Sequence, residues 1–307
     1  MPGIDDLLRF LISGLALGAI YAVSGTGLVV LYRTTGVLNF AFGAIGAMGV
    51  HIAWSLSKAG NGLLGFKTNN RWVTYLACVL FCTLVSFLYG RFLAPLFAQR
   101  DPLTRALGTL GLLLVLLGIM NWRWRIQDAR SLTLPMKSWK FHLGDYVVNG
   151  SQVAAVAFGV LMTLGVAVFL NVSSTGTAMR AVANDRDVAA LLGVPVKRVE
   201  AVAWLFNGVI CGVVGLLLAD LLNQVSGVGL TFFVIPAVSV AVVGRLLNLW
   251  TTFIGGFVVG VIETELNGFK WKALVSYRTT APFIIAILAL VWFGRKRTIV
   301  LSGRAMR

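Results

Sequence analysis

Charge is what this sequence is short of. Only 12% of its 307 residues are Asp, Glu, Lys or Arg, where a soluble domain carries about a quarter. Together with 58% hydrophobic residues and a mean hydropathy of +0.87, that scarcity excludes water as the chain's main solvent. Acids are scarcer still, 11 against 26 lysines and arginines. The resulting net charge of +15 could suggest a nucleic acid. The basic residues, however, sit in short gaps between apolar runs and in a final stretch, which is the distribution membrane orientation produces. No nucleic-acid partner is expected.

Other shortages exclude chemistry. Two histidines and three cysteines supply no cluster with metal-ligand spacing, so no metal site is expected. Cys78, Cys82 and Cys211 lie within apolar runs and read as small buried residues. Neither HExxH nor GxSxG occurs, and no acid pair shares a helix with a histidine, so no catalytic residue is assigned. No Gly-Lys dipeptide occurs either, which removes the phosphate-binding loop. The chain is not expected to hydrolyse ATP, and its energy should arrive through a partner. The opening Met-Pro-Gly-Ile-Asp5-Asp6 lacks the basic region of a secretory signal, so the first span should be retained.

What is present is a series of long apolar runs. A helix needs about 20 apolar residues to cross the hydrocarbon, with every backbone amide satisfied within the segment. Spans are expected near 8–31, 37–57, 73–97, 106–120, 152–170, 199–222, 228–244, 252–268 and 281–293, eight or nine in all if the shortest cross. The fold class is therefore all-α: one polytopic transmembrane domain over 1–307, with no soluble domain. Arg295, Lys296, Arg297, Arg304 and Arg307 make the tail 294–307 basic and free of acids, hence cytoplasmic. Counting back puts the loop 171–198 and the Arg91, Arg100 and Arg105 region on the same side. The loop 121–145 lands outside although it carries Arg123, Arg125, Arg130, Lys137 and Lys140, an exception to the rule. Gly14/Gly18, Gly208/Gly212, Gly256/Gly260 and the stripe Gly43, Gly46, Gly49 have the spacing of close helix packing in lipid.

The polar stretch 173–195 is too well patterned for a connector. Ser174 or Thr175 can cap one short helix and Asp185 a second, and Gly193 followed by Pro195 is a stop signal. Met179, Val182 and Ala183 share one face, and Val188, Leu191 and Leu192 share another. Helices this short are marginal alone, since isolated ones below about 12 residues are barely stable in water. They need either a partner surface or the membrane and their own domain to lie on. Among polar groups at membrane depth, Asn39, His51, Asn207, Asp220, Asn223, Gln224, Glu263 and Glu265 are functional suspects. Against that, His51 also fits a packing role, and Asp220, Asn223 and Gln224 fit capping or interface contacts. Glu263 and Glu265, two apart, point to different helix faces.

Two motifs carry a family likeness. Gly14-Leu-Ala-Leu-Gly18-Ala-Ile-Tyr21, continued by Tyr32-Arg-Thr-Thr-Gly36-Val-Leu-Asn39-Phe40-Ala-Phe-Gly43, resembles the opening of the branched-chain amino acid permeases of ABC importers. Met179-Arg180-Ala181-Val182-Ala183 and Ala190-Leu191-Leu192-Gly193-Val194 resemble that family's cytoplasmic coupling segment. With the length and span spacing the likeness covers nearly the whole chain, and it is nearest the LivH-type member of the permease pair. The resemblance implies a second permease subunit of the LivM type, two cytoplasmic ATPase subunits and an extracytoplasmic solute-binding protein. ATP and Mg would be bound by those partners, and this chain would hold no cofactor. It implies ATPase docking by Met179, Arg180, Val182, Asp185, Asp187, Leu191, Leu192 and Gly193. The translocation path would pass Asn39 and Phe40 at an interrupted second helix, with His51, Asp220 and Asn223 as further candidates. The solute would be a branched-chain amino acid or a related small polar compound. An ion-coupled secondary transporter is the alternative. One stretch departs from the family: a glycine-rich turn is replaced by Gly244-Arg245-Leu246-Leu247-Asn248.

Overall fold

The computed structural model describes residues 4–57, 67–124, 130–143, 146–266 and 280–304. Helix α1 (Ile4–Thr35) is followed by a non-helical stretch and α2 (Phe42–Leu56). Next, α3 (Arg71–Leu88) continues through a π-helical turn, Tyr89–Leu93, into α4 (Ala94–Phe97), and α5 (Pro102–Arg123) runs back. Strands β1 (Lys140–Leu143) and β2 (Tyr146–Asn149) precede α6 (Gly150–Val172), the short α7 (Ser174–Asn184) and α8 (Arg186–Leu191), and the long α9 (Val196–Leu221). Helices α10 (Gly227–Phe232), α11 (Val234–Val243), α12 (Leu249–Glu265) and α13 (Ala281–Arg304) complete the bundle.

Among the described residues, five helical stretches are long and apolar enough to cross a membrane: Arg9–Thr35, Arg71–Phe97, Pro102–Arg123, Gly150–Val172 and Val196–Leu221. Phe42–Leu56, Gly227–Val243 and Ala281–Trp292 are shorter apolar helices. The polytopic helical class expected from the apolar runs is what is found. The tail beyond residue 293 is a continuation of α13 as far as Arg304.

Burial separates inner from outer helices. The apolar window of α1 is 89% buried and that of α9 72%, against 22% for α5. Leu107 and Leu114 on α5, and Leu161 and Val172 on α6, are exposed. Rows of outward leucine are costly in water but free in hydrocarbon, and lipid is the solvent in which this surface is stable.

The bundle is held by backbone contact more than by side-chain bulk. At the α1–α12 seam a methyl on Gly260 would overlap the backbone of Gly18, and one on Gly18 would sit 2.7 Å from the Cα of Phe257. A Cβ added to Gly208 would lie 2.6 Å from the Cα of Thr83, one on Gly212 2.8 Å from that of Val79, and one on Gly46 2.7 Å from the carbonyl oxygen of Cys211. All three paired glycines and the α2 stripe thus pack as their spacing predicted. Cys78, Cys82 and Cys211 are buried and free; Cys82 donates its thiol proton to the carbonyl of Ile45 at 3.2 Å. Gly260→Val is expected to open the α1–α12 seam at a cost of about 1–3 kcal/mol or more, read as lost yield of monodisperse protein in mild detergent.

The β-hairpin was not foreseen. Lys140 pairs with Asn149, Phe141 with Val148, His142 with Val147 and Leu143 with Tyr146 in antiparallel register. Part of it lies in the segment that broke the charge rule, and two of that segment's cations, Arg130 and Lys137, turn inward. Arg130 is buried and lies over the Trp54 ring at 5.0 Å. The Lys137 Nζ bonds the Asp220 carbonyl at 3.0 Å and Asn223 Oδ1 at 3.1 Å. Both cations are committed to internal contacts, and so weigh differently from the free loop charges on which the orientation rule rests.

Candidate functional site

The two faces of the bundle carry different chemistry. On one, α7 and α8 form a helical hairpin joining α6 to α9. Its first cap is Ser173 rather than Ser174 or Thr175: Ser173 Oγ accepts the Gly176 N–H at 2.9 Å. The one-residue shift arises because α6 ends at Val172, leaving Ser173 the extended residue that an N-cap requires. Asp185 caps α8 as expected, its carboxylate accepting from the N–H groups of Asp187 and Val188, both at 3.0 Å. Gly193, at φ +83°, closes α8: its N–H bonds the Ala190 carbonyl and that of Val194 bonds Ala189, both at 3.0 Å. That is the helix stop the left-handed glycine permits.

The hairpin has an anchored and a free side. Met179, Val182 and Ala189 are buried against Val30, Leu170, Val196 and Val199. Leu191 and Leu192 are 87% and 79% exposed, with Val188 at 50%. The expected split into two apolar faces is therefore present, one packed and one uncovered. Arg180 bonds Asn171 Oδ1 at 3.0 Å, tying α7 back to α6, and Asp187 is exposed. Arg186 Nε donates to Glu200 Oε1 at 2.9 Å. That hydrogen bond holds the Arg186 guanidinium above its usual pKa and ties α8 to the second turn of α9.

Behind the hairpin lies a polar seam. The residues before α2 are non-helical, and Asn39 Nδ2 donates to Asn207 Oδ1 on α9 at 2.8 Å. Both side chains are buried. Asn39 Oδ1 accepts the Ala41 N–H at 3.0 Å, and the Phe40 N–H donates to Thr109 on α5 at 3.1 Å. α2 itself runs unbroken, so the interruption precedes it. A second break, at Phe233, parts α10 from α11. It adjoins the first, because Gly43 touches the backbone of Leu230 and Thr231. One turn below Asn207, Trp204 is wholly buried, its ring 4.9 Å from that of Tyr89. The π-helical turn and Gly90 make that room, since a Cβ on Gly90 would overlap the indole. Sequence patterning missed the Asn207 and Trp204 pairings, which join residues 168 and 115 apart in the chain.

The opposite face carries the other candidates. Asp220 is buried; its Oδ1 accepts the Leu134 N–H at 2.9 Å and lies 3.7 Å from the Lys137 Nζ. Asn223 stands in the left-handed region at φ 53°, turning the chain after α9. His51 is buried: Nδ1 bonds the Ala47 carbonyl at 2.8 Å and the ring stands 5.3 Å from that of Trp124. Glu263 accepts from the Tyr21 hydroxyl at 2.6 Å. The candidates thus divide into a hairpin group, the Asn39–Asn207 seam and the Asp220–Asn223 group. No trio of His, Cys, Asp or Glu able to hold a metal occurs among the described residues.

Arg245 and Leu246 are both left-handed, at φ 58° and 56°. This turn keeps a glycine-type backbone while carrying side chains. A left-handed residue with a Cβ costs about 1–2 kcal/mol, and Arg245 is exposed. Arg245→Gly is expected to raise the thermal unfolding midpoint; an unchanged or lower midpoint would contradict the strain.

A lipid-facing bundle, an uncovered apolar hairpin and breaks buried at its centre together define a multi-pass membrane transport component. A sequence profile of the branched-chain amino acid transport system permease component matches residues 10–292, and the chain belongs to that family. It is similar to the high-affinity branched-chain amino acid transport system permease protein LivH of Salmonella typhimurium, 24% identical over 298 residues, covering 92% of each chain. It is likewise similar to BraD of Pseudomonas aeruginosa, 24% identical over 90% of this chain and 92% of the relative. A probable LivH of Methanocaldococcus jannaschii is 26% identical over 86% and 84%. The chain is accordingly a non-catalytic permease component of an ABC transport system in the cell membrane.

Proposed function

We propose that this chain forms half of the path by which an ATP-driven importer moves branched-chain amino acids, or a closely related small polar solute, into the cell. The single domain spans 1–307, with the loop 171–198 and the tail 294–307 on the cytoplasmic side. A LivM-like second permease supplies the other half. Two cytoplasmic ATPase subunits bind ATP and Mg, and an extracytoplasmic binding protein delivers the solute. The observation that carries this reading is the uncovered Val188, Leu191 and Leu192 on a hairpin otherwise packed into the bundle. An apolar patch held out on a rigid support is a docking surface.

Closure of the ATPase pair pushes the hairpin. The Arg186–Glu200 bond and the Ala189 contacts pass that push to α9. The same helix carries Asn207 in the seam and Asp220 at the far face, so a tilt of α9 acts on both ends of the path. Met179, Arg180, Val182, Asp185, Asp187 and Gly193 build and cap the hairpin beneath the docking leucines. Asn39, Phe40 and the break before α2 act as the gate. Asp220 and Asn223 shape the mouth, and His51 supports the wall beside them.

Uptake in cells with collapsed ion gradients and retained ATP tests the energy source. Leucine uptake that persists there, with ATPase and second permease subunits co-purifying, is the expected result. Loss of uptake with ATP still present would instead favour ion coupling.

A further inference from the structure

We infer that a cavity on the face away from the coupling hairpin receives an α-amino acid as a zwitterion, with Arg71 taking the carboxylate and hydroxyl lone pairs taking the ammonium. This rests on the transport reading and deepens it by naming the solute's first stop. The cavity encloses about 330 Å³, inside the range of small-molecule sites, roughly 300–1,000 Å³. Three segments build it: Ser57 after α2, residues 68–75 entering α3, and residues 131–133. Its inner wall is fixed. Thr74 and Tyr75 are buried, and the Tyr75 hydroxyl reaches across to the Thr133 carbonyl at 2.9 Å.

The direction of the hydrogen bonds sets the ligand chemistry. Ser57 Oγ donates to the Trp54 carbonyl at 2.6 Å and Thr74 Oγ1 to the Arg71 carbonyl at 2.6 Å. With Tyr75 the same holds. These three hydroxyls have committed their single protons to the protein's own backbone and retain only acceptor capacity, while Thr68 Oγ1 accepts the Asn70 N–H at 3.1 Å and keeps its proton for donation. The part of the wall formed by Ser57, Thr74 and Tyr75 suits an ammonium group. Arg71 is the one charged side chain among the described lining residues, and its guanidinium fork matches a carboxylate. A bare anion would leave the acceptors unmatched, and a bare cation would be repelled by Arg71. A molecule carrying both charges on adjacent carbons satisfies both.

The cavity also abuts the proposed mouth. The segment forming its third wall runs on to Leu134, whose N–H bonds Asp220 at 2.9 Å. A solute released here lies beside the end of α9, the helix that the hairpin drives.

Equilibrium binding to the complete transporter in lipid nanodiscs, without binding protein, tests the site by ligand-observed NMR. The probes are leucine, 4-methylpentanoate, which lacks the ammonium, and leucinol, which lacks the carboxylate. Saturable leucine binding is expected, with 4-methylpentanoate and leucinol at least 10-fold weaker. Arg71→Gln should weaken leucine at least 10-fold and Arg71→Lys should recover part of the loss, with co-elution of the subunits verifying assembly of each variant. Absent leucine binding, 4-methylpentanoate binding as tightly as leucine, or an Arg71→Gln complex equal to wild type would overturn the site. Unchanged half-saturation of ATP-driven leucine uptake in Arg71→Gln removes the receiving site and leaves the transport reading standing. Absence of uptake in the wild-type assembly removes the transport reading itself.

Discussion

Replacing both Leu191 and Leu192 by Glu is expected to abolish ATP-driven uptake while leaving the membrane bundle folded. The two leucines contribute almost nothing to the isolated chain's own packing, since they are 87% and 79% exposed. Their worth lies in what covers them. Central apolar anchors of an interface cost about 2–4 kcal/mol each when truncated, a 30- to 1,000-fold loss of affinity at roughly 1.4 kcal/mol per decade. Two carboxylates entering an apolar groove add a desolvation penalty on top. Met179→Glu makes the contrast: that side chain is wholly buried against α1 and α6, so its loss should undo the hairpin and lower the unfolding temperature. Proteoliposome uptake, subunit co-elution and thermal unfolding separate the cases. Full uptake and intact assembly in the double-Glu variant would end the docking role of this hairpin.

Much of the fold was legible because lipid imposes a coarse rule. Apolar length marks the helices, and paired glycines mark the seams, as Gly18 and Gly260 demonstrate by touching through their backbones. The hairpin was legible for a different reason: Asp185 and Gly193 are local signals whose partners lie within a few residues. What escaped was non-local. Lys137 counts as a loop charge until Asp220 and Asn223, more than 80 residues on, bind it. The β-hairpin is four residues a side, too short for alternation to rise above the surrounding apolar pattern. Asn39 stood out as polar within an apolar run, but nothing in a sequence period names Asn207 as its partner. The same limit hid the room made for Trp204, which depends on Gly90 and a π-helical turn rather than on any repeat.

Asn207→Leu is the second large effect expected, and it should act on the gate rather than on assembly. The Asn39–Asn207 bond joins the non-helical stretch before α2 to α9. Breaking it strands the Asn39 amide in a dry interior, a penalty of about 1–3 kcal/mol. If the pair holds the path closed, that penalty falls on the closed state alone and shifts the gate toward opening by about 5- to 150-fold. The variant should therefore leak leucine through the transporter without ATP, while its hairpin still docks. Asn39→Leu should be the more severe change, because Asn39 Oδ1 also accepts the Ala41 N–H and its loss leaves a backbone donor unpaired as well. Combining both substitutions removes the stranded amide, so the double variant should leak less than the sum of the single effects predicts. A coupling energy near zero in this cycle, or a tight Asn207→Leu transporter, would show that the seam is packing and that the gate lies elsewhere.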